Sequence, residues 1–364
     1  MIIRYALSSP PTAVGANPSS RRIPSAAVAS ICHGGVAHRD IHPRRHQHSS
    51  SDSRAPSPLT PQDIAALDRW ISAEKRLVLQ DTLHPEHLAD LYVTLPTRDG
   101  TREPLPGYAP PREGDVLGYG HHLAFFHPRN PEKFLRWDGT DVDFSPPKPF
   151  TRRMWAGGRM EWKSPLHIGD RAEAVSTIAS VQRKGFGAGE TGAPMVFVKQ
   201  KIEYRKQGGG EACIEEERSH VYLAMAGNRR EPKEVKGLPR PDFMFEYLPT
   251  PTTLFRFSAL TFNGHYIHLD KDYARKSEGY PERLVHGPLT ALMLLDTTAL
   301  QVPGRRGFKT FEYRAVNPIA VNRVVSINGA QEDKDTIRVW AEVEEPESGR
   351  QVVGMVGKIT LDGA

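Results

Sequence analysis

The sequence predicts an α+β protein built from two antiparallel strand layers, on three observations. Four long apolar or alternating runs fill residues 152 to 225, four more follow Phe308, and a weak internal repeat joins the two sets. Between them LTALMLLDTTAL, residues 289 to 300, reads as a helix with almost no polar face, and a helix apolar all round must be buried.

The elements follow in chain order. The first 54 residues hold seven arginines and only two acids, Asp40 and Asp52, in a stretch rich in Arg, Ser and Ala that begins MIIRYAL. That composition predicts a mitochondrial presequence, or else a disordered arm without an address. Thr60 and Pro61 then predict a helix start, with Thr as cap and Pro in the first turn, running on through DIAALDRWISAEKRLVL. Pro and Gly are frequent from Leu95 to Pro149, so that stretch reads as largely irregular.

From Arg152 the runs MWAGGRMEWKSPL, RAEAVSTIASVQRK, APMVFVKQKIEYRK and ACIEEERSHVYLAM read as an antiparallel meander. A linker rich in Pro and charge, residues 231 to 246, separates this first unit (60 to 230) from a second (247 to 364). The second unit opens with TTLFRFSAL, which reads as a strand, and YIHLD also shows strand-like alternation. FKTFEYRAV, NRVVSING, TIRVWAEVEE and QVVGMVGKITL close the chain as four further strands. The repeat pairs Ser164 to Asp170 (SPLHIGD) with Asn317 to Asn322 (NPIAVN), each with a Pro and a turn-forming Gly or Asn before a strand.

Charge excludes one large class of function. The chain carries 48 Lys and Arg against 43 Asp and Glu, for a net +5, but the arm accounts for all of the excess. The remaining 41 basic and 41 acidic residues cancel, whereas proteins that track phosphate carry a basic face on the folded domain. No run approaches the roughly 18 to 20 apolar residues of a spanning helix, so neither nucleic acid nor membrane is an expected partner. Of two cysteines, Cys32 lies in the arm, leaving Cys213 without an internal disulfide partner.

The segment Phe257 to Pro288 holds the residues with chemistry: Asn263, His265, His268, and then His286 and Gly287 before the apolar helix. Histidine titrates near neutrality and can take and return a proton, while a glycine opening a helix offers a backbone N–H that the helix dipole strengthens. His265-x-x-His268 would be only half a zinc site, and no metal or cofactor is expected. The glycines of GFGAGETG (185, 187, 189 and 192) lack dinucleotide-loop spacing and read as a hairpin loop. Arg305 and Arg306 are candidates for contacting the phosphates of a carrier.

This segment resembles the active-site segment of the hydratase 2 or MaoC-like dehydratases, whose pattern is Asp, Asn two residues on, His five residues on, and a later His-Gly. RRMWAGG, SPLHIGD and EEERSHVYL are similar to the subgroup with mitochondrial hydroxyacyl-thioester dehydratase type 2 and mesaconyl-CoA hydratase-like proteins, over about residues 60 to 362. The resemblance implies a double hotdog fold, two curved antiparallel sheets each around a helix. It implies reversible dehydration of (R)-3-hydroxyacyl thioesters to trans-2-enoyl thioesters, with the catalytic segment in the second half.

By that resemblance His268 moves the proton, the Gly287 N–H holds the thioester oxygen, and Asn263 orients the departing oxygen. His265, His286 and Arg283 would bind substrate. Asn263 stands where many relatives have Asp, and an amide cannot accept a proton at neutral pH. Asp270, on the histidine's face if YIHLD is a strand, is the substitute acid. The expected partners are an acyl-CoA or acyl-carrier-protein thioester and, as a homodimer, a second copy of the chain. The alternatives are hydration of a branched dicarboxylyl-CoA, which would want a cation such as Arg256, Arg275 or Arg283, an acyl-thioesterase, or a silent acyl-CoA-binding module.

Overall fold

The computed structural model describes residues 59–363 apart from 103–104, 106, 188–192, 225–230, 302–305 and 346–348. The proposed presequence and Arg305 fall outside the described residues. Helix α1, Pro61–Ser72, begins where Thr60 and Pro61 predict. The Thr60 hydroxyl accepts the Asp63 N–H, and the Asp63 carboxylate accepts the Thr60 N–H at 2.9 Å, so two donors left over at the helix start satisfy each other's side chains. The helix stops before RLVL, which instead forms strand β1, Arg76–Thr82. Beta-branched and apolar alternation there lets β1 pair with the sheet rather than prolong α1. Helix α2, Pro85–Tyr92, follows at once.

The strands of the first half are β2 (Arg152–Trp162), β3 (Arg171–Lys184), β4 (Met195–Lys206) and β5 (Ile214–Leu223). The second half supplies β6 (Phe243–Tyr247), helices α3 (Pro251–Leu260), α4 (Tyr266–Leu269), α5 (Lys271–Lys276) and α6 (Gly287–Gln301), then β7 (Phe308–Ala315), β8 (Val325–Asp333), β9 (Thr336–Glu344) and β10 (Gln351–Leu361). All ten strands form one antiparallel sheet in the order β1-β3-β4-β5-β2-β7-β10-β9-β8-β6.

Read outward from the central β2–β7 pair, the two halves have the same strand order, a duplication written into the topology. The sequence repeat falls at equivalent places in it. Gly169 and Asn322 both turn with positive φ, +93° and +64°. Leu117 N–H donates to Leu166 O at 2.8 Å, and Val285 N–H to Ile319 O at 2.8 Å. The bridges Val116 to His167 and Leu284 to Ala320 match in the same way. The fold is an α+β double hotdog.

Four expectations change. The first half is not a simple meander, because β2 pairs with β5 and β7 rather than β3. TTLFRFSAL is helix α3: Thr250 caps it in a reciprocal bond with Thr253, Pro251 starts it, and Leu254, Phe257 and Ser258 bury one face at helical spacing. YIHL is a helical turn, so its apparent alternation was too short to fix a period. Finally, the two halves do not both wrap a long helix. The segment equivalent to α6 is a single 3₁₀ turn, His121–Ala124, while α6 keeps every residue from Leu289 to Thr298 buried and packs on β8 and β9.

Candidate active site

The loop after α3 is shaped by Asn263. Its N–H donates to Ser258 O at 2.8 Å, and its side-chain oxygen accepts the His265 N–H at 3.1 Å. The loop is also clamped from the first half, where Asp138 O accepts the Tyr266 N–H at 3.0 Å. A side chain on Gly139, φ +80°, would strike Gly264 O, so glycine is what allows the two loops to meet.

His268 leaves the α4 turn with its ring fixed. Its Nδ1 lies 2.8 Å from Leu284 O, and a carbonyl only accepts, so Nδ1 carries the hydrogen and Nε2 keeps its lone pair. The ring stacks on His286 at 3.6 Å between centroids, and His286 Nε2 lies 2.9 Å from the Ser258 hydroxyl. Burial pushes the His268 pKa down to about 4, against the opposing bond to Leu284, and the Arg153 cation pushes the same way. Burial also holds His265 and His286 well below their ordinary values, with the His268 charge as the next cause. All three rings are therefore neutral near pH 7, and His268 is poised as a base.

Gly287 opens α6, whose first N–H groups lack partners within the helix. A Cβ there would lie 2.9 Å from Trp155 Cγ, so a bare backbone N–H can be presented beside that ring and no larger residue fits. Asn263, His265, His268 and Gly287 all line a single cavity of about 620 Å³. The first half closes it with Trp155, Arg153, Arg218 and His220, and Leu123, Phe125, Phe126 and Ile202 make an apolar wall.

His286 and Arg283 are not among the lining residues. His286 is fully buried beneath His268, and Arg283 turns back to Glu282 at 3.0 Å. Neither residue lines the cavity, and His286 lies behind the site as the ring on which His268 stacks. Asp270 is diverted too: its carboxylate caps α5, accepting the Asp272 and Tyr273 N–H groups at 2.7 and 3.0 Å. Because YIHL is helical, Asp270 does not share the histidine's face, and it is no substitute acid. Arg306 is bound to Asp335 at 2.6 Å and to backbone carbonyls, Lys334 O among them, rather than held out for a phosphate. Of the three arginines near in sequence, Arg256, Arg275 and Arg283, none lines the cavity.

Residues 120–321, more than half of the chain, match the family of hydroxyacyl-thioester dehydratase type 2 proteins. The chain belongs to the hydroxyacyl-thioester dehydratase type 2 family. Among its relatives, the mitochondrial hydroxyacyl-thioester dehydratase type 2 of Schizosaccharomyces pombe is 32% identical over 57% of this chain and 76% of that protein. Mesaconyl-C(4)-CoA hydratase of Chloroflexus aurantiacus is 40% identical over 48% of this chain, and the match spans 61% of its own length. In fold, a MaoC-like dehydratase from Phytophthora capsici superposes with a TM-score of 0.57 at 15% identity, covering 83% of this chain and 99% of that one.

In this family member the first half contributes more than a sheet. Trp155 and Arg153 on β2, and Arg218 and His220 on β5, face the site, and none of them is among the site residues expected from the sequence. Arg218 bonds Glu216 through Nε and a terminal nitrogen, both at 2.8 Å, and lies over the Trp155 ring. Burial alone would raise Glu216, but the Arg218 charge, helped by His122, holds it well below the usual carboxylate range. The alternation of charged and aromatic residues in RRMWAGG and EEERSHVYL is the one signal that could have exposed them, since a sheet face packed only on a core would be apolar.

Proposed function

We propose that this chain is a hydro-lyase that reversibly dehydrates (R)-3-hydroxyacyl thioesters to trans-2-enoyl thioesters. The observation that carries the reading is the pairing, in one cavity, of a neutral His268 with a bare Nε2 and the Gly287 N–H at the start of α6. In the dehydration direction His268 Nε2 takes the proton from C2, and charge moves onto the thioester oxygen. The Gly287 N–H meets that oxygen, helped by the positive end of the helix dipole. The imidazolium then gives its proton to the C3 hydroxyl, which leaves as water. Asn263 holds that oxygen through its side-chain amide N–H, since its carbonyl oxygen is taken by His265.

Family membership and the mitochondrial S. pombe relative support this reading. The same reading puts the catalytic groups in a second hotdog half, residues 247–364, joined by 231–246 to a first half, 60–230. Together with the arm, the relative supports a mitochondrial address; an acyl-CoA or acyl-carrier-protein thioester as substrate and a homodimer as the assembly are part of the same proposal.

The test is to add crotonyl-CoA to the purified protein and follow loss of the conjugated double bond, with a thiol reagent present in a parallel sample. Hydration without thiol release supports the reading. Thiol release would make it a thioesterase, and binding without either change would make it a silent module.

A further inference from the structure

The cavity extends from Gly287 and Trp155 into the first half, where the counterpart of α6 is only the 3₁₀ turn His121–Ala124. Leu77 and Leu79 on β1 join Leu123, Phe125 and Phe126 to make one side of that extension apolar. The sheet side is different. Apart from the exposed Lys184, five polar side chains of β3, β4 and β5 line it: Ser176, Gln200, Tyr204, Arg218 and His220. Two of them are satisfied, since Tyr204 Oη donates to Glu216 at 2.8 Å and Arg218 holds the same carboxylate through its fork. The other three, Ser176 at 7% exposure, Gln200 at 9% and His220 at 8%, have no side-chain hydrogen-bond partner among the described residues.

These three form a line. His220 stands opposite Val198 on β4 and Ser176 opposite Ile202, with Gln200 midway between Val198 and Ile202, so all three side chains leave one face of the sheet. Two strand spacings across and four residues along β4, the line runs about 16 Å from His220 to Ser176. Its near end lies at the proposed oxyanion donor, because His220 also stands opposite Trp155, the ring that packs on Gly287.

Buried donors and acceptors without partners weaken a fold unless something arrives to satisfy them, and a plain alkyl chain cannot. Glutamine and serine both donate and accept, as a hydroxyl does, so the two sides match atom for atom. A carboxylate fits worse. Arg218, which stands opposite Gln200, is already neutralised by Glu216, so an anion arriving there would be buried without a counter-charge.

We propose that this extension binds an acyl chain carrying a hydroxyl group several carbons beyond the reacting double bond. Gln200 holds that hydroxyl, or Ser176 does on a longer chain, while the methylenes lie on the leucine and phenylalanine side. The proposal rests on the hydratase reading above and deepens it, naming the acyl group as an oxygenated one.

The experiment measures kcat/KM for hydration of trans-2-enoyl-CoA of six, eight, ten and twelve carbons, each as the plain chain and as its ω-hydroxy analogue. At the length that reaches Gln200 or Ser176 the wild type should favour the hydroxylated chain by about tenfold or more, since buried polar groups discriminate against an analogue that leaves them unpaired. Gln200→Leu should abolish the preference at the shorter lengths and Ser176→Ala at the longest. That ratio does not depend on how much of a variant folds. A wild type with no preference for the hydroxyl at any length overturns the proposal and leaves the hydratase reading intact, with water satisfying the polar line; this arm needs no variant. A preference that survives both substitutions also overturns it. If no enoyl-CoA is hydrated, the hydratase reading fails, and calorimetric binding of the saturated ω-hydroxyacyl-CoA and acyl-CoA pairs decides. A preference for the hydroxylated member that the substitutions abolish sustains the proposal, and no preference overturns it.

Discussion

The His268 ring lies flat on the His286 ring, 3.6 Å between centroids and 20° between planes. At that spacing both rings cannot hold a proton, so His286 stays neutral while His268 works, and its bond to Ser258 fixes the surface on which His268 rests. In the proposed mechanism, proton transfer belongs to His268 alone. His268→Ala should lower kcat for enoyl-CoA hydration by about 10²- to 10⁴-fold with little loss of fold. His286→Phe keeps the stacked face but strands the buried Ser258 hydroxyl, costing about 1–3 kcal/mol of stability and under tenfold in kcat. Steady-state kinetics and urea unfolding of the two variants separate the roles, and equal kinetic losses would sink the division.

Gly287→Ala should fail through contact rather than through helix propensity. The added methyl would meet Trp155 Cγ at 2.9 Å and Cδ1 at 3.0 Å, so either the ring or the first turn of α6 must move. Displacing the N–H from the developing negative charge is expected to cost about 10²-fold in kcat. The double variant with Trp155→Leu relieves the contact and should recover part of that loss. If Gly287→Ala alone keeps full activity, the N–H is not the oxyanion donor.

Acid should weaken both activity and fold, in two windows. His268 acts as base only when neutral, so kcat/KM should be flat above and fall as pH drops through about 4. For stability, histidine in the unfolded chain titrates near 6.5, while burial lowers His268 and His127 to about 4 and moves His265, His286 and His220 the same way. Between those values the unfolded chain binds more protons, so the stability present above about pH 6.5 is lost as pH falls toward 4. Glu278 and Asp141, both raised by burial, oppose this only in part. Thermal unfolding from pH 7.5 to 4.5 checks the sign, and a constant Tm would contradict it.

Asp296 belongs to stability. It sits on the face of α6 turned toward the first half, where it meets Arg98 Nε at 2.7 Å, the Thr97 hydroxyl at 2.5 Å and His121 Nε2 at 3.3 Å. Burial would raise its carboxyl, but Arg98, with His121, holds it well below the usual range. Asp296→Asn leaves Arg98 short of a counter-charge and should cost about 3 kcal/mol in denaturant unfolding, with kcat per folded molecule unchanged. A large loss of kcat with normal stability would instead tie Asp296 to the site.

The site's second-half residues were legible because they are local. Asn263, His265, His268 and Gly287 fall within one segment whose loop, turn and helix start keep them together, and the cavity receives all four. The strands after Phe308 and the apolar α6 were equally plain, because period and composition act within each element. What misled was short-range alternation: YIHLD and TTLFRFSAL look extended, yet the Thr250 cap and burial of one helical face make the second a helix, and YIHL closes as a single turn with Ile267 buried.

By itself the sequence determined an α+β duplication with one apolar helix, and a histidine and a glycine placed for thioester chemistry. Tertiary structure decided which groups stand opposite them. Pairing of β2 with both β5 and β7 brings Arg153, Trp155, Arg218 and His220, which lie 67 to 134 residues before Gly287, to the same cavity. It also left His286, Arg283 and Asp270 off the cavity wall. Sheet register and burial act between distant segments, so they settle which first-half groups face the cavity, a choice that local pattern records only in part.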